Sequence, residues 1–514
     1  MTINASSLAA AVGASVSNVQ FQSEALNLPR KILIPATYLP AKTGVVALTP
    51  VQVFSAEDAG DQFGFGSMAH RLVKQAFVGG QGIPVYVQPQ GEATSAEAAV
   101  GSIDFASSTG VAAGTIYLSL ANISVPVTIA AAATPDIIAT AIAAAVMADK
   151  ELPVTAGAAT TVVTFTTKSK GLWGNDVSIK LLGTLPAGVV SSITGMVNGA
   201  GVPSMEDALD ALGTDDDANE DYYTDVVNGY GLDTTTMDAI STYVGAGNTA
   251  VGLYGKTVSR PFRALAGDVV VKAAGLTALI AISDVRLLDR ANGVLSVPGS
   301  SSHPGEIAAQ AIGHMARINQ DRVAQHYLGI TLVGIDTGDK ADRWTSDYDN
   351  RDTAVKAGIG PTRVQNGVVV LQNVVTFYRP ANVPVSSNGY RSMRNIGIVQ
   401  NMLYNIRLNF EQEKWQGISI VNDTAKVTNI LDRQKARDIG SVIDDLVALA
   451  VSFESRAWIY EADFTIGKLG EAGAVTIRSG GLGFDSILSV IFSGEGGILD
   501  TVVEFDTSLA VLLT

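Results

Sequence analysis

The side chains that could do chemistry are few and scattered. Ser300-Ser301-Ser302-His303 sets hydroxyls beside an imidazole, with aspartates elsewhere in the chain. A hydrolase of the familiar α/β type would present its serine in a Gly-x-Ser-x-Gly elbow, and none occurs; adjacency in sequence does not make a triad. His314 and His326 lie twelve apart, whereas two zinc ligands on one helical face stand four apart. Asp215-Asp216-Asp217 with Glu220-Asp221, and Asp336, Asp339 and Asp342, offer oxygens to calcium. Neither run follows the EF-hand spacing with its closing glutamate, so both read as solvated acidic loops. Gly64-x-Gly66 ahead of a helix resembles part of a phosphate-binding loop. It lacks both the third glycine of a dinucleotide fingerprint and a Gly-Lys-Ser/Thr ending, and reads as a tight turn instead. The sequence therefore assigns no catalytic, metal-binding or cofactor-binding residue, no cofactor and no enzymatic activity.

Composition narrows the classes further. The 514 residues allow two to four domains. Although 47% are hydrophobic, no run of about 18 apolar residues reads as a membrane span. The first residues, MTINASSLAAAVGASV, lack the basic start of a signal peptide. There is no cysteine, which excludes disulfides and thiolate zinc sites and fits folding inside a cell. With 34 basic against 49 acidic residues the net charge is −15, which favours solubility and disfavours general nucleic-acid binding.

The elements that must position these residues read as a mixed α/β and α+β, multidomain chain. Residues 1–22 form an arm with a thin apolar pattern at Val16, Val19 and Phe21. Strands are expected at 31–40, 44–54 and 83–88, with a Phe63-Gly64-Phe65-Gly66-Ser67 turn leading into a helix over 68–77. Lysine and arginine nearly vanish between 91 and 149. Residues 114–130 alternate as a hairpin turning near Ala121-Asn122, Thr134-Pro135 opens a helix to 148, and strands follow at 154, 162–167 and 177–182. This β-β-α-β-β unit reads as an insertion. From 202 to 365 strands (221–227, 250–254, 278–282, 293–297, 328–335) alternate with helices (237–244, 306–325), which implies a partly parallel sheet covered on both faces. Val368–Tyr378 reads as buried strand, and Ile396, Val399, Leu403, Ile406 and Phe410 mark the apolar face of a long helix. Residues 427–457 read as mostly helical. Lys426, Arg433, Lys435 and Arg437 form a basic patch on an acidic chain. The last residues, with Val502, Val503 and Phe505, are apolar and β-prone, an edge that needs a partner.

Three stretches carry a resemblance. They are the Phe-Gly-x-Gly-Ser turn at 63–67, the Lys-Gly-x-x-Gly-Asn loop at 170–175, and the strand, proline-marked turn and Arg/Asn-bearing helix between Gly367 and Phe410. In this order the chain resembles the contractile phage tail sheath proteins, those of Mu-like phages in particular. The resemblance implies a discontinuous core domain (23–95 and 193–366), an inserted β-rich outer domain (96–192), a tube-facing C-terminal domain (367–497) and arms at 1–22 and 498–514. Neighbours' arms would complete a sheet in the C-terminal domain, and the basic patch would face the tail tube. It implies a structural subunit that polymerises as hexameric rings, with tail tube, baseplate and tail terminator proteins as partners, and without nucleic acid or direct membrane insertion. Its place would be the virion tail, assembled in the bacterial cytoplasm, where contraction drives the tube through the host envelope for genome ejection. The sheath of a phage-tail-like bacteriocin, or another filament or surface-layer protein, are the alternatives.

Overall fold

The computed structural model describes residues 25–213, 222–256, 259–270, 272–344, 347–380 and 389–496. They form two units, one of residues 27–407 with 494–496, the other of 25–26 with 408–493. The mixed α/β, multidomain character expected from the sequence is what the structure shows. The six arm residues Val16, Val19, Phe21, Val502, Val503 and Phe505 lie outside the described residues.

The larger unit is built on a nine-stranded sheet. In chain order its first elements are β1 (Ile32–Thr37), β2 (Val51–Val53), α1 (Ala56–Phe63), α2 (Met68–Gly79) and β3 (Val85–Gln90). Next comes an excursion from β4 (Val100–Asp104) through β5 (Gly114–Leu120), β6 (Ile123–Ile129), α3 (Pro135–Ala148), β7 (Val154–Ala159), β8 (Val162–Thr167) and β9 (Ile179–Leu182) to β10 (Ser192–Val197). The core resumes with α4 (Met205–Asp210), β11 (Asp225–Val227), α5 (Thr234–Val244), β12 (Arg263–Asp268), α6 (Lys272–Asp284), β13 (Asn292–Ser296), α7 (Pro304–Asp321) and β14 (Thr331–Leu332). It ends with α8 (Tyr348–Lys356), β15 (Gly360–Gln365), β16 (Val368–Leu371) and α9 (Met393–Phe410). The strand order is β14-β16-β15-β13-β12-β11-β1-β3-β2, and the six strands from β15 to β3 run parallel.

Burial on both faces explains the near-continuous apolar sequence of β1, Ile-Leu-Ile-Pro-Ala-Thr. Side chains alternate across the sheet. Leu265 and Leu295 join the cluster beneath α2 and α7, while Ala266 and Val294 join Met237 of α5, Leu279 of α6 and Ala354 of α8 on the opposite side. Glycines let α2 and α7 meet backbone to backbone: a Cβ at Gly79 would stand 2.2 Å from the Gln310 carbonyl, and one at Gly313 2.5 Å from that of Ala76.

The excursion folds into two antiparallel sheets, β10-β4-β8-β7 and β6-β5-β9, with α3 against β6, β7 and β8. The β5–β6 hairpin turns at Ala121 and Asn122, both at positive φ (47° and 62°), as a two-residue turn matched to strand twist requires.

The smaller unit holds β17 (Ser419–Ile420), α10 (Ile430–Lys435), β18 (Ala436–Arg437), α11 (Ile439–Ser455), α12 (Ala462–Leu469), β19 (Val475–Ile477) and β20 (Phe484–Ser486). Val442 and Leu446 of α11, Leu469 of α12 and Val475 form its core, with Trp415 and Phe484 against them.

Several expectations are corrected. Residues 278–282 belong to α6, since a short apolar run does not distinguish strand from buried helix. Residues 250–254 form tight turns, and only 51–53 of 44–54 and 331–332 of 328–335 are strand. The helix read over 427–457 breaks at 427–429 and again at 436–438. The buried face of α9 follows the expected apolar stripe only at Ile396. Val399, Leu403, Ile406 and Phe410 are half-buried, whereas Arg394, Gln400, Asn401 and Asn405 are buried beside Ile398 and Met402.

That inversion has a cause. Arg263 of β12 is fully buried, and its Nε donates to Asp225 Oδ1 at 2.6 Å. Its remaining donors reach Tyr327 Oη (2.6 Å), Asn319 Oδ1 (2.5 Å) and the Met393 carbonyl (2.8 Å). Gln400 donates to the carbonyls of Thr224 and Pro261 at 2.9 Å and accepts from Arg30. Desolvation lowers Arg30 to about 10 against the attraction of Asp225; it also lowers Arg263, but there the charge and hydrogen bonds of Asp225 and Tyr327 together outweigh burial and leave the guanidinium raised. The polar face of α9 thus satisfies carbonyls and guanidinium groups that water cannot reach.

Breaking this pair leaves an uncompensated buried charge, so Arg263→Met should cost about 3–5 kcal/mol of unfolding free energy. Adding Asp225→Asn should recover part of the loss. A double-mutant cycle in urea tests this, and strict additivity of the two substitutions would refute the coupling.

Candidate interaction surfaces

The Phe63–Ser67 turn sits where the inserted sheets meet the core. α1 ends at Phe63; Gly64 and Gly66 take φ of 98° and 79°, where a side chain is strained. Ser67 caps α2 by accepting from the His70 amide at 3.1 Å, and the Gly66 amide donates to His70 Nδ1 at 3.1 Å. Burial lowers His70 to about 4, so Nδ1 remains an acceptor. A Cβ on Gly66 would lie 2.2 Å from the Leu152 carbonyl, between α3 and β7 of the insertion. Lys150 stands 3.6 Å over the Phe65 ring. The glycines make a tight turn, as read from the sequence; the close approach of Gly66 to the insertion was not foreseen, and this side of the motif is turned inward.

The residues that first invited a hydrolase reading complete the same seam. His303 caps α7: Nδ1 accepts from the Gly305 amide at 3.1 Å, so Nε2 carries the proton and donates to the Trp173 carbonyl at 2.9 Å. Asn122, at the hairpin tip, donates to Ser302 Oγ (3.1 Å) and the Gly334 carbonyl (2.7 Å). Ser178 Oγ donates to the Ser301 carbonyl at 2.5 Å, and Asp336 accepts from the Ser301 amide at 2.7 Å. Arg71 of α2 bonds Glu306 at 2.6 Å and the Ala121 carbonyl at 3.0 Å, all three groups buried. Trp173 of the glycine loop is buried within this seam.

In open α/β sheets the crevice beyond the carboxyl ends of the strands, where the strand order reverses, holds ligands. Here that place, between β1 and β11, is filled by the protein. Met68 and Leu72 lie against Gly229, where a Cβ would come within 2.4 and 2.5 Å of them, and the Tyr230 hydroxyl donates to Gln90 at 2.6 Å. Farther along the same edge Asp268 is buried, accepting from Ser296 Oγ at 2.7 Å, and desolvation raises its carboxyl to about 6.

The basic patch divides in two. Lys435 donates to the carbonyls of Glu413 and Gln416 (3.1 and 3.2 Å), and Arg437 to those of Lys414 (2.7 Å) and Ala436 (2.7 Å). Both anchor the chain around Trp415. Lys426 is 76% exposed with Asp423 at 3.8 Å, and Arg433 is exposed. Between them on α10, Ile430 and Leu431 are 75% and 74% exposed, an apolar tip beside cationic groups that the sequence reading passed over. Two adjacent apolar residues among the polar and charged ones of a short helix break the amphipathic pattern, and that was the available signal.

Near the ends of the described chain the contacts are specific. The Ala25 amide donates to Ser452 Oγ of α11 at 2.6 Å, and the Leu28 amide to Asn401 Oδ1 at 2.7 Å. Glu495 pairs with His326 (3.3 Å) and Arg394 (3.8 Å); against the cost of burial, these contacts hold its carboxyl below the ordinary range. The hairpin β19–β20 is a sheet of two strands among the described residues, with Ile477, Leu482 and Ile487 exposed beside it. Among the described residues no helix is long and apolar enough to cross a membrane.

Comparison with known proteins sharpens the resemblance read from the sequence. No family model matches the chain. Over 224 residues, 42% of the chain, it is 28% identical to the Mu-like prophage FluMu tail sheath protein of Haemophilus influenzae. The chain spans about half (46%) of that curated relative's length. Among solved structures it is similar to a sheath tail protein of Desulfitobacterium hafniense, at 12% identity and a TM-score of 0.42 over 91% of this chain and 93% of the other.

Two predictions follow from the seam and the buried carboxylate. Gly66→Ala should destabilise by about 2–4 kcal/mol, combining left-handed strain with overlap at Leu152. Gly82→Ala, at φ 83° with nothing within 4 Å, should lose only the strain, about 1 kcal/mol; equal losses in urea would contradict the close approach. Asp268 has its folded value raised from 3.8 to about 6, so its stabilising share is full below pH 4 and lost as pH rises through 6. Asp268→Asn removes this loss. Relative to the parent, its stability should rise by about 2–3 kcal/mol between pH 4 and 7. A flat difference across that range would show that the carboxyl titrates normally.

Proposed function

We propose that the chain is the repeating subunit of a contractile tail sheath. The single observation that carries this reading is the 28% identity over 224 residues with a tail sheath protein of a Mu-like prophage. It is joined by the glycine turn at 63–67 and the Lys170–Asn175 loop, which resemble those of sheath proteins.

In this reading identical subunits stack around a tail tube through heterologous contacts that do not close, the geometry of an open helix. Arms at 1–22 and 498–514, with Val16, Val19, Phe21, Val502, Val503 and Phe505, add strands to a neighbour. The short β19–β20 hairpin and the apolar residues beside it offer an edge for such a strand. Lys426 and Arg433, with the apolar tip of α10, face the tube, while Lys435 and Arg437 hold that surface in shape. Contraction is a rigid-body rearrangement between two arrangements of the same subunits, driven by their difference in contact energy and triggered from the baseplate. The seam supports this: core and insertion, joined through buried polar contacts and backbone close approach, transmit motion as one body. The particle would assemble in a bacterial cytoplasm and end in the virion tail.

Negative-stain electron microscopy of the full chain over a concentration series tests the reading. Hollow striated tubes are expected, and they should vanish when 1–22 or 498–514 is deleted while the circular-dichroism spectrum is retained. Lys426→Glu with Arg433→Glu should lower co-sedimentation with tube protein. Compact monomers at every concentration, with tail tube added, would overturn it.

A further inference from the structure

A cleft of about 570 Å³ opens along the carboxyl-terminal half of α7, facing the segment that leads into β14. Its polar lining comprises His314, Arg317, Asp321, Arg322, Gln325 and Thr331. The first members recur at steps of three and four, so they share one side of the helix. His314 is only 9% exposed, and neither ring nitrogen has a hydrogen-bond partner among the described residues. A buried imidazole left this way carries the full cost of desolvating a donor and an acceptor. Arg317 is exposed and has no ion pair among the described residues, and Arg322 reaches only Gln325 Oε1, at 3.3 Å. Cations near the end of a helix interact favourably with its dipole. That accounts for the two arginines, but not for a buried histidine with nothing to bond.

We propose that this cleft is a carboxylate site, occupied by an acidic side chain of a second copy of the chain. The inference rests on the sheath reading and deepens it by naming one intersubunit contact. A guanidinium fork matches the two oxygens of a carboxylate, and His314, which lines the cleft, holds an imidazole whose nitrogens have no partner among the described residues. The lone carboxylate inside, Asp321, leaves two cations against one anion. Elsewhere the balance runs the other way, with 49 acidic residues against 34 basic and a net charge of −15. Copies of such a chain repel when packed closely. A cationic cleft with an unsatisfied donor is where a neighbour's carboxylate can be held with its charge compensated.

The test uses the full-length chain. Arg317→Gln with Arg322→Gln, which removes the dipole interaction without reversing it, should keep the melting temperature within about 5 °C of the parent yet raise the concentration needed for sedimentable tubes at least about tenfold. Because the chain has no cysteine, Gln325→Cys supplies a unique thiol in the cleft. Its reaction with a maleimide should be fast in dispersed protein and at least about tenfold slower in tubes. Tubes formed by the double variant at the parent concentration, or a thiol equally reactive in both states, would overturn the inference and leave the sheath reading intact. Parent protein that forms no tubes would instead overturn the sheath reading, and this contact with it. If inorganic phosphate raises the melting temperature of the parent but not of the double variant, while assembly of the two is identical, the cleft takes a free oxyanion and the second-copy occupant is wrong.

Discussion

The ion pair of Asp225 with Arg263 is the constraint on which the larger unit turns. Both groups are fully buried at neighbouring positions of adjacent parallel strands, and a buried pair persists only when every remaining donor is met. Meeting them recruits Asn319 of α7, Tyr327, the first turn of α9 and, through Gln400, the segment ahead of β1. Elements more than a hundred residues apart thereby share one network. A helix that would be expected to bury its leucines instead buries glutamine and asparagines. Apolar contact is non-directional and tolerates sliding; a guanidinium with its donors assigned does not. The gain is register.

A second constraint acts at the seam between the sheet and the inserted strands. Beside a continuous apolar cluster it uses backbone carbonyls: Leu152 against Gly66, Ala121 for Arg71, Trp173 for His303 and Ser301 for Ser178. Backbone groups cannot change rotamer, so contacts made to them fix position more strictly than contacts between side chains. Such a joint holds the two substructures in one arrangement. It also accounts for the serines and histidine that resemble catalytic residues, since capping a helix and holding a hairpin need the same short polar groups.

Much of this was legible in the sequence where local chemistry decides the outcome. The hairpin at Ala121-Asn122, the proline-opened helix at 135 and the His303-Pro304 start of α7 follow from turn and capping preferences that act within four residues. The glycine turn was read correctly as a turn. What escaped depended on partners distant in sequence. Strand β12, Arg-Ala-Leu-Ala-Gly-Asp, has no β-branched residue, and its place at the sheet's centre comes from neighbours on both sides. Residues 278–282 were read as strand because a short apolar run has no period of its own. Lys435 and Arg437 were read with Lys426 and Arg433 as one surface, since sequence shows charge but not the carbonyls that use it.

That last distinction reaches beyond one patch. In a chain of net charge −15 several cations are already engaged inside the molecule. Arg30, Arg71, Arg263 and Arg394 are buried, and Lys435 and Arg437 bind carbonyls of their own unit. The cations left facing water are therefore fewer, and their positions carry information that the total charge does not. When acidic surfaces of two molecules meet, repulsion between exposed charges at ordinary ionic strength fades beyond about 8–10 Å. Contacts closer than that need a cation at the point of approach. Arg317 of α7 and Arg433 of α10 are exposed and belong to different units, so each unit carries such a point on its own surface.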